Sequence, residues 1–351
     1  MQGQVLVSVI VSNFNYAAYV GRAIESVLAQ TYAPVELIVV DDGSTDGSRG
    51  EILRYDDRAT VIFKENGGQA STYNSGFLAS HGEIVLFLDA DDALRPDALE
   101  SVVAAWSPGT AKVQFYLDCV DADERLLGRR KPNVPFADKH VLGWLSSYGY
   151  YPSPPSSGNA YARDVLEKLL PMPTKTWRIG ADGYLIALAA LYGQVVSIDR
   201  ALAIYRIHGR NNYLAGAVDL PRLRRLLSNE IDREIAFRKH ADMRSFRIGR
   251  SLVLSIPSHC KARLLSLKLD PAGHPYPQDR LLSLVWAGIR SSATFPHNSW
   301  PKRLLAPLAF PLLAIAPRGW LAARLPVLFL SQTRIHALIP LRRRPSLIQS
   351  D

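Results

Sequence analysis

The chain predicts an α/β fold with a mostly parallel central sheet, followed by a basic helical region, and three observations carry this. Strand-like and helix-like runs alternate through the first 120 residues, the pattern that right-handed βαβ crossovers leave in a sequence. Two strand-like runs, Leu37-Ile38-Val39-Val40 and Ile84-Val85-Leu86-Phe87-Leu88, are apolar throughout, as parallel strands covered on both faces must be. The charge also changes sign along the chain. Residues 1–214 carry 19 Lys and Arg against 24 Asp and Glu, and residues 215–351 carry 22 against 8, so the net +9 divides into −5 and +14.

Taken in order, the elements begin with a strand over residues 5–12, entered through Val5-Leu6-Val7 directly after Met1-Gln2-Gly3-Gln4. A helix near residues 19–30 and a strand over 35–42 follow, and Ser44 or Asp46 can cap the next helix, which starts near Asp46. A short strand over 60–64, a helix near 69–80, a strand over 83–89, a helix opened by Pro96 and a strand over 112–117 complete the alternation. From 131 to 173 the chain is rich in Pro, Gly, Ser and Tyr, which reads as a long loop serving as a lid, a binding surface or a plain connection. Beyond 214 the pattern is helical and basic, notably over 220–243 and 280–290. The expected division is therefore 1–214 and 215–351, with the first part split near residue 120.

Composition narrows the function. With 48% hydrophobic residues the chain can bury a full core, and disorder is excluded as its main state. Cys119 and Cys260 are too few for a disulfide framework, and no basic leader or cleavage site precedes the first strand, so a cytoplasmic protein is expected. The basic C-terminal part would suit anionic lipid, an anionic polymer or nucleic acid. Nucleic acid ranks last, because no zinc-finger spacing or RNA-binding aromatic signature occurs. The apolar stretch 304–317 is shorter than the roughly 20 residues that span a bilayer and is interrupted by Pro307 and Pro311. Flanked by Arg303, Arg318, Trp320 and Arg324, and followed by Arg342-Arg343-Arg344, it suits an anionic membrane surface; a hairpin packed on the preceding domain is the alternative.

Both apolar strands end in acids, Asp41-Asp42 and Asp89-Ala90-Asp91-Asp92. In open α/β sheets ligands bind at the carboxyl ends of the strands. Acids gathered at such a rim call for a divalent cation with diphosphate oxygens completing its shell. A dinucleotide oxidoreductase is disfavoured, since no G-x-G-x-x-G follows any strand. A sugar-phosphate nucleotidyltransferase would want a Gly-rich basic loop where Ser12-Asn13-Phe14-Asn15-Tyr16 stands.

Four blocks together resemble the inverting, nucleotide-sugar-dependent glycosyltransferases of family 2, which have the GT-A fold. They are the segment from Val7 to Tyr16, Ser26-Val27-Leu28-Ala29-Gln30-Thr31-Tyr32, the segment from Val39 to Asp46, and the run from Asn66-Gly67-Gly68 through Asn74-Ser75-Gly76 to Asp92. The resemblance implies a hexosyl- or N-acetylhexosaminyl-transferase. It would use a divalent metal (Mn²⁺ or Mg²⁺), a nucleotide-sugar donor, UDP-linked for preference, and a glycan or lipid-linked saccharide acceptor. It further implies donor contacts from Ser12, Asn15, Asp41, Asp42, Asn66, Gly67, Asp89 and Ala90. Asp91, Asp89 and His208 would serve the metal, and Arg206 and Arg210 the leaving diphosphate. Trp177-Arg178-Ile179-Gly180-Ala181-Asp182 falls where the family shows a Glu-Asp pair. Ala181 replaces the first acid, which leaves Asp182 as the general base, although its position also suits a helix N-cap. Tyr73 stands where relatives often place an arginine. A catalytically silent protein that keeps the fold and binds glycan or membrane is the rival of a different class.

Overall fold

The computed structural model describes residues 4–137, 140–208, 219–249 and 252–334. It divides into two compact units, one of residues 1–215 with 229–252, the other of 216–228 with 253–351.

The first unit is built on a nine-stranded sheet: β1 (Val7–Asn13), β2 (Val35–Asp41), β3 (Thr60–Phe63), β4 (Ile84–Asp89), β5 (Ala93–Leu94), β6 (Thr110–Val120), β7 (Leu126–Lys131), β8 (Asn159–Ala162) and β9 (Gln194–Arg206). Its order is β3-β2-β1-β4-β8-β6-β9-β5, with β7 beside β6. The half made of β3, β2, β1 and β4 is parallel throughout; β8 enters antiparallel between β4 and β6, and β6 pairs β9 in parallel. The apolar strands are buried on both faces, as their composition requires. Ile10, Ile38, Val40, Val85 and Phe87 point into one core, while Val9, Val11, Leu37, Val39, Leu86 and Leu88 point into the other, following the two-residue period of a strand.

Around the sheet pack α1 (Ala17–Leu28), α2 (Ser48–Ile52), α3 (Gln69–Ala79), α4 (Ala98–Ala104), α5 (Val141–Tyr148), α6 (Arg163–Leu169) and α7 (Ala181–Ala189); α8 (Leu220–Met243) follows. The region expected to be one long loop, 131–173, instead holds α5, a 3₁₀ turn at Ser156–Gly158, β8 and α6. Each piece is short, and β8 is only Asn-Ala-Tyr-Ala, too brief to show a period.

Register positions the site. Ser12 pairs with Asp89 and Asn13 with Asp41, so both acidic clusters emerge at one rim of the sheet. The chain leaves β1 for β2 and β3 on one side and returns to β4 on the other, so the strand order reverses at this rim, where such folds bind ligands.

The second unit contains α9 (Pro257–Leu269), α10 (Leu281–Thr294), α11 (Trp300–Leu305), α12 (Ala309–Ile315) and α13 (Arg318–Arg334). It contains a buried ion pair of Arg263 with Asp279, which His274 Nε2 also meets at 3.0 Å. Among the described residues no helix is long and apolar enough to cross a membrane.

Candidate active site

A cleft of about 720 Å³ opens at the reversal point. Of the residues singled out from the sequence, Ser12, Asn15, Asp42, Asn66, Asp89, Ala90, Asp91 and Asp182 line it. Asp41, Gly67, Arg206 and His208 are not part of this lining, and Arg210 lies outside the described residues.

The wall after β2 is a loop organised by two carboxylates. Asp41 accepts from Asn13 Nδ2 at 2.7 Å and from the Ser44 N–H and hydroxyl at 2.9 and 2.6 Å. The Ser44 hydroxyl in turn accepts the Asn15 N–H at 2.8 Å. Asp41 is therefore the hub of its loop, while Asp42 faces the cleft. The Asp42 carboxylate takes the N–H groups of Gly67 and Gly68 at 2.9 and 2.7 Å and Lys64 Nζ at 2.5 Å. Gly68 has φ +84°, and a Cβ there would lie 2.3 Å from Arg178 Cγ, so glycine is required at this junction. Asp46 accepts the first N–H of α1 and of α2, at 3.0 and 2.9 Å, as the capping reading anticipated.

At the end of β4 the acids divide their work. Asp89 and Asp91 face the cleft. Asp92 turns inward, where it accepts the Ser157 hydroxyl at 2.6 Å and the Arg206 N–H at 3.1 Å. Burial, reinforced by the charges of Asp92, Asp91 and Asp182, holds the Asp89 carboxyl well above the ordinary carboxylate range; burial followed by Asp91 does the same to Asp92. His208 packs against the rings of Tyr16 and Tyr19 and brings Nε2 within 3.0 Å of Asp91 Oδ2. Arg206 is buried. Its guanidinium donates to the Asp91 carbonyl at 2.9 Å, the Ala122 carbonyl at 3.1 Å and Glu124 Oε1 at 2.7 Å, so it clamps the acidic loop from behind.

Hard oxygen ligands crowded to the point of mutual repulsion, with one imidazole, fit a divalent cation such as Mg²⁺ or Mn²⁺. Asp91 and Asp89 would hold it, with His208 beside them. Among the described residues no three such side chains converge on one point.

The opposite wall is the start of α7. Gly180, at φ 83°, turns the chain into the helix, and Asp182 sits in its first turn. Burial raises the Asp182 carboxyl above its ordinary value, while backbone N–H groups of Gly183, Asp182 and Ser156 counteract that. Gln69 fastens this wall to α3: its Oε1 accepts the N–H of Gly180 and of Ala181, both at 3.0 Å, and its own N–H reaches the Arg178 carbonyl at 2.9 Å. Gln69 Nε2 donates to the Tyr73 hydroxyl at 3.0 Å, and that hydroxyl also meets the Ser156 hydroxyl. Tyr73 is fully buried and stacks on Phe87 at 4.2 Å, so this position serves the scaffold.

Gln69, Tyr205 and Arg178 are cleft residues that sequence reasoning passed over. Arg178 holds Asn66 through its guanidinium and brings a cation to a cleft whose other charged lining residues are acids. Its place in the same short block as Asp182 was the signal available.

The family model described as Glycosyl transferase family 2 matches residues 8–170. An uncharacterized glycosyltransferase of Nostoc sp. is 41% identical over 217 residues, which cover 60% of this chain and 67% of that protein. The succinoglycan biosynthesis protein ExoO of Rhizobium meliloti is 26% identical over 342 residues, covering 89% and 94% of the two chains. Among solved structures, TarS 1-349 of S. aureus in complex with UDP superposes with a TM-score of 0.50 at 17% identity, over 91% of this chain and 90% of that one, a likeness of fold.

Proposed function

Because the chain belongs to glycosyltransferase family 2 and is a glycosyltransferase of GT-A fold, we propose that it transfers one hexosyl or N-acetylhexosaminyl unit, with inversion, from a UDP-sugar to a hydroxyl of a glycan or lipid-linked saccharide. One observation carries the reading: Asp182 shares a single cleft with Asp89 and Asp91. A base and a diphosphate-binding rim facing one space are what single displacement needs. The polysaccharide named for ExoO and the UDP bound by TarS support the acceptor class and the donor base.

In this mechanism Asp182 takes the acceptor hydroxyl's proton as that oxygen attacks the anomeric carbon on the face away from the departing diphosphate. Its raised pKa makes it a stronger base than an exposed aspartate. Asp42, fixed by Gly67 and Gly68, offers a carboxylate edge to the nucleoside. Arg178 supplies positive charge where negative charge develops. The chemistry a divalent cation at Asp91 and Asp89 supplies is neutralisation of the leaving diphosphate. The tyrosine-rich segment 131–180 shapes the acceptor side, and the basic second unit attaches the enzyme peripherally to an anionic membrane face.

The test pairs binding with turnover. UDP with Mn²⁺ raises the melting temperature of wild type and of Asp182→Asn alike, whereas transfer falls by about 100-fold or more in the variant. Transfer at the wild-type rate removes Asp182 from the base role; stabilisation by another nucleotide in place of UDP overturns the donor.

A further inference from the structure

We propose that the helical rod formed by α11, the 3₁₀ turn Ala306–Leu308 and α12, together with Trp320, is the surface by which this enzyme docks on anionic lipid. The proposal deepens the peripheral-attachment reading and rests on it.

The rod has one packed face and one bare face, and both are apolar. On the packed face Phe310 and Leu313 are buried. Gly288 of α10 leaves room for the Phe310 ring, for a Cβ there would come within 2.0 Å of it. Lys268 Nζ ties the end of the rod by donating to the Leu313 carbonyl at 3.1 Å. The bare face carries Trp300, Leu304, Leu308, Leu312 and Ile315, exposed to 74, 63, 60, 62 and 79%. Their spacing of four, four, four and three residues keeps them on one side of a helix. The backbone stays in the right-handed helical region through the joints, at Leu305, Ala306, Leu308 and Ala309, so the stripe continues along about 22 Å of rod. A row of large apolar side chains turned to water marks an interaction surface.

Charge identifies the partner. From Arg280 to Ser350 the sequence has ten Lys and Arg and no Asp or Glu. Arg303, Arg318 and Arg324 are exposed around the stripe, and the Arg324 guanidinium lies 4.7 Å from the Trp320 ring centroid. Apolar side chains with tryptophans and a cationic margin match the boundary between acyl chains and anionic headgroups, where such a helix lies in the plane of the membrane about 5–10 Å deep. A second copy of the chain would set these cations against their own kind. The prolines at 301, 307, 311 and 317 suit a rod lying flat, since it never has to span.

The experiment is flotation of the full chain with vesicles of phosphatidylcholine alone or with about 30% phosphatidylglycerol, at low and high salt. Wild type is expected to float with the anionic vesicles at low salt and to stay behind with the neutral ones. Leu308→Glu with Leu312→Glu lowers the partition coefficient about tenfold or more, and Arg303→Glu with Arg318→Glu removes most of the salt dependence. All variants keep the UDP-induced rise in melting temperature, which reports that the catalytic unit is intact. Wild type that fails to float overturns peripheral attachment and this surface together. Wild type that floats while the Leu variant floats equally overturns this surface alone. Equal binding to neutral vesicles overturns the anionic partner. Dimerisation in sedimentation velocity that Leu308→Glu abolishes assigns the stripe to a second copy.

Discussion

Replacing Gln69 by alanine isolates the contribution of positioning to this site. The substitution removes the acceptor of the Gly180 and Ala181 N–H groups, each bonded at 3.0 Å, and the donor to the Tyr73 hydroxyl at 3.0 Å. A buried donor left unpaired costs about 1–3 kcal/mol. Gln69 lines the cleft, so water can reach part of the gap, and the total should sit near 2 kcal/mol, a fall in melting temperature of about 4–8 °C. Catalysis should suffer more. With its first turn released, α7 no longer holds Asp182 against the acceptor, and a displacement near 1 Å costs on the order of 100-fold in rate. The UDP-induced thermal shift should survive, because the Asp42 contacts with Gly67 and Gly68 are backbone bonds. Gln69→Glu keeps both acceptor functions and should recover most of the rate, but its charge raises the Asp182 pKa further and moves the rising limb of the pH–rate profile to higher pH. Steady-state kinetics with a nucleotide thermal shift decides the matter. Wild-type turnover in Gln69→Ala, or equal losses of turnover and nucleotide binding, would refute positioning through α7.

Gly68→Ala forces a Cβ at φ +84° to within 2.6 Å of the Arg178 carbonyl oxygen; urea denaturation should show a loss of about 2 kcal/mol or more, and unchanged stability would contradict the close approach. Asp91→Asn should abolish the Mn²⁺-dependent part of UDP stabilisation while leaving the metal-free part, and a normal metal response would reject the ligand assignment. Lys112 is fully buried, donating to Gln114 Oε1, Ser153 Oγ and Asn159 Oδ1 at 3.0, 2.8 and 2.7 Å, and burial pushes its pKa well below the ordinary lysine value. The unfolded chain then holds more protons across the interval between the lowered pKa and the ordinary one, so stability should rise with pH there. Lys112→Met should flatten that rise, and parallel pH–stability curves for the two proteins would count against it.

The first 120 residues were legible because their physics is repetitive. Short apolar runs such as Ile84-Val85-Leu86-Phe87-Leu88, bounded by turn residues and alternating with helical runs, fit strands covered on both faces, and acids at their ends meet at one rim once β1 lies between β2 and β4. Beyond residue 120 this logic weakens. β9 is 13 residues long, yet Asp199 and Arg200 interrupt its alternation, where the pairing with β6 passes from Ile198 to Ala201. The division of labour among neighbouring acids was invisible as well. Composition cannot distinguish Asp41, bonded into its own loop, from Asp42, which faces the cleft, nor Asp91 from Asp92. Only the partners Asn13, Ser44 and Ser157 do that, and nothing in their spacing announces them.

Those partners share a pattern that accounts for how the two walls of the cleft are joined. The segment from Ser153 to Asn159 has little apolar content, and side-chain hydrogen bonds hold it instead: Ser153 and Asn159 to Lys112, Ser156 to Tyr73 and the Phe87 carbonyl, Ser157 to Asp92. Ser157 Oγ also accepts the Asp89 N–H at 3.1 Å, and the Ser156 N–H faces Asp182. One short strap therefore touches both the acidic rim at the end of β4 and the carboxylate of Asp182 on α7. Directional bonds suit this task better than apolar contacts, because they fix a register and apolar surfaces slide. The same polar content explains why the strap read as loop. A segment held by side-chain hydrogen bonds has no hydrophobic period to display.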